Sequence, residues 1–474
     1  MENGAPELKY EQAARDIVAN SIEFVTKVHN FDGLVTVASC DNIIAGCYLA
    51  MARLNLPSLC VTGGSMTAGI YKGGKMVQAQ LDVAALSGES EDVLSEMEEC
   101  VCPSFGACPS MGTANTMQMT GEILNMVLPG TGTIPAIDNL KLRKCREAGR
   151  RIVEMILADR KPSDLITKDT FNNAIAFAMA TAASTNIVLH LIAIANELGI
   201  KVTLDDFDYY AKKIPCITGV IPSGPYTVVD FHYAGGPLTV MKMIEKEINT
   251  DVPTMDGRTW KELLAHVEAK SSDIIRTLDD PLFNVPGLQI LKGNLSPTGS
   301  IIRPTGVPEE MKKFSGKARV FSSDEESYEA IESGDIKPGD VIVIRYEGCV
   351  GAPGMTELMV STDALIAKGL HKSVGLISDA RFSGFNYGAI VGHITPEAAK
   401  GGLIALIEEG DIITVDTTKG TINLEVPEDV IEERRKHWVC PEPKVKTGLL
   451  ALYAQNCRPA DEGGAMQPWD IEFK

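Results

Sequence analysis

The chain has 474 residues, more than one hydrophobic core normally supports, so two domains are expected; its 45% hydrophobic and 23% charged content is ordinary for a globular protein. A net charge of −19 argues against nucleic acid or an anionic membrane surface as partner, since either would repel it. The polar, acidic start MENGAPELKYEQAARD carries no export pattern, so a cytoplasmic location is expected, with the 11 cysteines as thiols, metal ligands or core residues rather than disulfides.

Apolar residues Ala14, Ile17, Val18, Ile22 and Val25 recur at helical spacing and predict a first helix over 11–27. A βαβ signal follows: a strand at 33–39 (GLVTVAS), a helix at 43–53, and a second strand at 58–62 that ends in Gly63-Gly64. The first strand terminates in Ser39-Cys40-Asp41-Asn42. A thiol and a carboxylate there face the crevice in which parallel sheets bind ligands. After a Glu-rich helix around 89–99 comes CVCPSFGACPSMGTANTM, with Cys100, Cys102 and Cys108 on a Gly/Pro/Ser loop and Thr113 and Asn115 opening a helix. The Cys100-x-Cys102 spacing does not match the common zinc knuckles, and an iron–sulfur centre suits a glycine-rich thiol loop better. Without further context a cysteine is more often a small core residue than a ligand.

Helical periodicity dominates from 140 to 211. The charge-free run at 174–195 is long enough to suggest a membrane span, but Thr181, Ser184, Thr185, Asn186 and His190 interrupt it, and a buried helix is the better reading. His232, in DFHYAGGP, reads as a satisfied structural histidine. Near residue 285 the pattern shifts from helical to period two, with short strands, turns and the hairpin DIITVDTTKGTINLEV turning at Lys419-Gly420. The expected fold class is α/β. Residues 1–285 form a domain with a mainly parallel sheet flanked by helices, and 286–474 a β-barrel-like domain with a few helices.

Within the second domain, VGLISDARFSGFNYGAIVGHITP at 374–396 sets a strand against Asp379, Arg381 and the Ser383-Gly384 step. A capping serine is the plain interpretation, and no G-x-S-x-G surrounds it, so a hydrolase nucleophile elbow does not fit. Taken together, Ser39-Cys40-Asp41, the 102–117 loop, STNIVLHL, LKGNLSPTG, RYEGCVGAPGMTEL and DARFSG resemble the family of dihydroxy-acid and sugar-acid (aldonate, phosphogluconate) dehydratases, in the family's order, from about residue 10 to 453. The resemblance implies a hydro-lyase that turns a 2,3-dihydroxy acid into a 2-keto acid with an iron–sulfur cluster and magnesium. It implies Cys40 and Cys108 as cluster ligands, Asp41 and Glu357 as magnesium ligands, Ser383 as base, and a homo-oligomer. The Asp379-Ala380 step is closer to aldonate-type members.

Three positions depart from the family. Its lysine after Cys-Asp is Asn42, Cys349 stands where proline is usual, and the N-terminal segment with a further cysteine and acidic ligand has no counterpart. Three readings follow. A small subunit supplies that segment to a split enzyme, Cys102 or Cys349 substitutes, or the chain is a non-catalytic paralogue that binds a sugar acid or regulates a dehydratase.

Overall fold

The computed structural model describes residues 9–382 and 384–466. They fall into two compact units, an N-terminal one of 14–85 and 89–288, and a C-terminal one of 289–466 joined by 9–13 and 86–88.

The first helix, α1 (Tyr10–His29), carries Glu11 in its first turn and Lys27 and His29 in its last, each sign favoured by the helix dipole. The βαβ unit is present. Strand β1 (Leu34–Ala38) pairs in parallel with β2 (Ser58–Thr62), from Leu34 opposite Ser58 to Ala38 opposite Thr62, and α2 (Asp41–Leu54) makes the crossover. The mainly parallel N-terminal sheet is not. The sheet stops at two strands, and the chain after β2 turns into a small hairpin of β3 (Gly69–Tyr71) and β4 (Gly74–Met76). The physical reason lies in the helices. Those at Thr113–Ile123 and Ile187–Glu197 are buried on nearly every side and pack on α2, so helix against helix supplies the core that a wider sheet would have supplied.

The run at 174–195 is buried as expected, but in two helices, Lys168–Thr181 and Ile187–Glu197. Ala182 leaves the first in the left-handed region at φ +50°. The break is held by buried hydroxyl and amide groups: Thr113 Oγ1 lies 2.7 Å from Ser184 Oγ and accepts from Asn186 Nδ2 at 3.0 Å. Among the described residues no helix is long and apolar enough to cross a membrane.

The C-terminal unit is built on an eight-stranded mixed sheet of β5 (Gln289–Leu291), β6 (Ser300–Ile302), β7 (Lys313–Phe321), β8 (Asp340–Ile344), β9 (Gly375–Ser378), β10 (Ile390–Gly392), β11 (Ile412–Asp416) and β12 (Thr421–Leu424). Its order is β12-β11-β7-β8-β9-β10-β6-β5, with β7 to β10 mutually parallel. Beyond the two edge strands, Lys292 N–H donates to Gly420 O at 2.9 Å and Ile422 N–H to Lys292 O at 3.1 Å, which nearly closes the sheet into the expected barrel. Both faces of β8 are buried. Val341 and Val343 join the core with Val391, Ile413 and Ile422, while Ile342 and Ile344 join a second one with Leu358 and Leu365.

Strand β11, by contrast, buries one face, with Ile413 and Val415 in the core and Ile412 exposed, and its adjacent residues test that alternation. Ile413→Ala is expected to cost about 2–5 kcal/mol in urea unfolding, since Ile413 is 0% exposed. Ile412→Ala, at 37% exposed, is expected to cost well below half of that. Equal losses would contradict the alternation.

Candidate active site

In the N-terminal unit Cys40 occupies the cap position of α2, its backbone extended at φ −82° and ψ 155°, directly after β1. Ser39 before it packs against Gly63, where an added Cβ would meet the Ser39 Cβ at 2.7 Å, so the two strand ends can lie this close only with glycine there. The Cys40 thiol is exposed, with Sγ 3.8 Å from Asp41 Oδ1. That same carboxylate oxygen accepts from Asn42 N–H at 2.7 Å and Asn42 Nδ2 at 3.3 Å. Asn42 is buried and turns its amide donor, not a charge, toward Asp41.

Cys108 is exposed between the buried Ala107 and Pro109 and is fixed by Asn115, whose Nδ2 donates to Cys108 O at 2.5 Å and Ser110 O at 2.8 Å. Loss of water around the thiol raises its pKa, and the nearby Cys102 thiol and the Asp41 and Asp82 carboxylates push the same way. Cys102, held at φ +55° with its Sγ 3.7 Å from Gln78 Oε1, is raised by burial and by Asp82. Asp41, Cys102 and Cys108 are therefore brought within electrostatic reach of one another. His232 is half-buried and bonds Thr133 Oγ1 at 3.0 Å through Nδ1, the structural role expected of a lone histidine.

In the C-terminal unit the site residues follow the carboxyl ends of the parallel strands, where sheets of this kind take ligands. After β8 the chain runs through a loop to Glu357; after β9 come Asp379, Ala380 and Arg381; after β10 comes His393. Glu357 and Arg381 meet in a short parallel bridge, in which Leu358 N–H donates to Arg381 O at 2.9 Å. The Arg381 guanidinium is fully buried. Its Nη1 lies 2.9 Å from Glu357 Oε2, its Nη2 donates to Glu11 Oε2 at 2.7 Å, and its Nε donates to Met355 O at 2.9 Å. Ser383 lies outside the described residues. Cys349 is fully buried with Sγ 3.6 Å from Met355 Sδ, a packed thiol of the core.

Beneath this loop lies a set of buried carboxylates, of which sequence reasoning singled out Asp379 and missed Glu347 and Glu397. Asp379 accepts from Ala398 N–H at 2.8 Å, Glu347 N–H at 3.0 Å and Tyr346 N–H at 3.2 Å. Burial, reinforced by the Glu347 charge, pushes its pKa to about 6 against the pull of those N–H groups. Glu397 accepts from Val350 N–H at 2.9 Å; burial and then the Asp379 charge push it to about 8. Glu347 accepts from Thr356 Oγ1 at 2.6 Å and pairs with Lys444. The one signal available in sequence was the density of acidic residues after successive strands.

The family model described as dihydroxy-acid/6-phosphogluconate dehydratase N-terminal matches residues 1–263, and that described as its C-terminal counterpart matches 273–464. The chain belongs to the dihydroxy-acid/6-phosphogluconate dehydratase family. It is similar to proteins named dihydroxy-acid dehydratase from Caldanaerobacter subterraneus subsp. tengcongensis (41% identical over 466 residues), Caldicellulosiruptor saccharolyticus (42% over 467) and Methanococcus aeolicus (42% over 467). Each match covers 97% of this chain and 84% of the relative. The chain is a dehydratase, and the reading as a non-catalytic paralogue is not favoured.

This family assignment implies a cluster and a cation, and the donor types fit them. Soft, exposed thiols at Cys40 and Cys108 suit a thiolate-held cluster, and the Asp41 carboxylate beside Cys40 suits a hard cation. Their number does not complete a set, because among the described residues no three His, Cys, Asp or Glu side chains gather closely enough to hold a metal ion.

The raised Glu397 pKa gives a pH test. Its native value of about 8 exceeds the ordinary 4.5, so across that interval the folded protein keeps a proton the unfolded chain has released. Its contribution to stability therefore falls as pH rises from about 5 to about 8. Glu397→Gln keeps an acceptor for Val350 N–H and is expected to flatten this slope in thermal unfolding across that range. Identical slopes for the two proteins would remove Glu397 as its source.

Proposed function

We propose that the protein is a hydro-lyase that converts a 2,3-dihydroxy acid, sugar acids included, to the 2-keto acid. The observation that carries this reading is the pairing of Glu357 with Arg381, two residues before Ser383, at the carboxyl ends of parallel strands in a chain of this family. In it Cys40 and Cys108 hold the iron–sulfur cluster, Asp41 and Glu357 the magnesium ion, and Ser383 is the base. When bound, these groups supply Lewis acidity at the departing hydroxyl and at the substrate carboxylate.

The chain's own residues account for the proton. Ser383 Oγ, deprotonated in the field of neighbouring cations, takes the proton from C2. The C3–O bond breaks, the Ser383 proton leaves with the departing hydroxide as water, and the resulting enol becomes the 2-keto acid. Arg381 holds Glu357 in place through its Nη1. The same reading divides the chain into 1–285, which binds cluster and metal, and 286–474, which carries Glu357 and Ser383. It makes the protein a cytoplasmic homo-oligomer.

The test is keto-acid formation by anaerobically purified, iron-loaded protein, with an aldonate (gluconate) and a branched dihydroxy acid (2,3-dihydroxy-3-methylbutanoate) as substrates. Ser383→Ala is expected to lower kcat by at least ~100-fold with thermal unfolding unchanged, the loss typical of a removed general base. A variant rate near wild type would take Ser383 out of that role.

A further inference from the structure

A buried histidine beside this site leaves one ring nitrogen unpaired. His393 is 4% exposed, and its Nε2 is buried without a hydrogen-bond partner among the described residues. A core histidine ordinarily satisfies its ring nitrogens, because a buried unpaired polar atom costs more than a made bond returns. Its backbone is also in the left-handed region, at φ +57°, which few residues other than glycine adopt without cost. That conformation directly follows β10, and His393 N–H donates to Ala380 O at 2.8 Å, fastening the residue to the segment that carries Arg381. The imidazole is neutral. Burial first, and then the Arg381 charge, drive its pKa to about 3, so it adds no positive charge beside the guanidinium.

Resting on the reading of the protein as a hydroxy-acid dehydratase, we propose that His393 is a substrate-contacting residue whose Nε2 makes a hydrogen bond with an oxygen of the bound hydroxy acid. A neutral imidazole offers either a donor or an acceptor there, as the tautomer dictates, and so suits a hydroxyl or carboxylate oxygen. The left-handed turn is what places the ring after the strand end. The unpartnered nitrogen is the position the substrate oxygen fills.

The experiment compares iron-loaded wild type with His393→Asn and His393→Gln, using gluconate and 2,3-dihydroxy-3-methylbutanoate as probes. Asparagine tolerates the left-handed backbone but is too short to reach the Nε2 position. His393→Asn is therefore expected to keep or raise the melting temperature while KM for the dehydrated probe rises ~10- to 100-fold, the range for a lost bond to a polar or charged group. His393→Gln, with a longer amide, is expected to recover part of that loss. A lowered melting temperature with KM within about twofold of wild type would make the imidazole structural and overturn the proposal, as would failure of both variants to fold. If wild type dehydrates neither probe, the proposed reaction fails by itself. Calorimetric binding of the two probes then decides for His393: weaker binding to His393→Asn than to wild type supports it, and equal or absent binding overturns it.

Discussion

The buried guanidinium of Arg381, held between the carboxylates of Glu11 and Glu357, is the contact on which the C-terminal site depends. A charge taken out of water costs several kcal/mol, and removing one partner of such a pair typically costs about 3–5 kcal/mol. Arg381 therefore fixes three otherwise separate pieces of chain: the start of α1, the loop that follows β8 and the segment that follows β9. Glu357 stands where it does because the alternative leaves Arg381 poorly compensated. A carboxylate that reads in sequence as a metal ligand thus has its place set before any metal arrives.

Beneath that pair the loop poses a different problem. From 345 to 359 the chain has no regular structure, and each buried N–H in it needs an acceptor. Asp379 and Glu397 supply acceptors to Tyr346, Glu347, Val350 and Ala398. The raised pKa of both groups is the cost of using carboxyls this deep, and desolvation is the larger cause in each. An irregular loop packed on acidic side chains holds its shape without becoming a strand or helix, which leaves Glu357 free to sit at the strand ends.

Local signals were legible in the sequence. The βαβ unit and the β11–β12 hairpin follow from periodicity and turn residues within a few positions. What failed was extrapolation. One βαβ signal implied a wider parallel sheet, whereas the run of all-round buried helices carried no strand period and built the core alone. The ion pair was beyond reach for another reason: Glu11 and Arg381 are separated by 370 residues, and no spacing rule relates them. Cys40 and Cys108 were selected by motif, since spacing left zinc, iron–sulfur and core roles open. His393 offered no pattern, because an unpaired nitrogen is visible only once its surroundings are packed.

The two units prepare their candidate ligands in opposite ways. In the C-terminal unit the Glu357 charge already faces a guanidinium. In the N-terminal unit loss of water around the Cys108 thiol, and then the neighbouring Cys102, Asp41 and Asp82 groups, raise its pKa and favour the protonated form. Left to itself such a thiol is a poor nucleophile and a poor ligand. A cation beside Asp41 would offset that carboxylate charge and favour the thiolate. Metal binding and thiol deprotonation would then reinforce each other, with protons released as metal is taken up. The Asp41 charge that helps to raise the Cys108 pKa is the same charge that a cation there would meet.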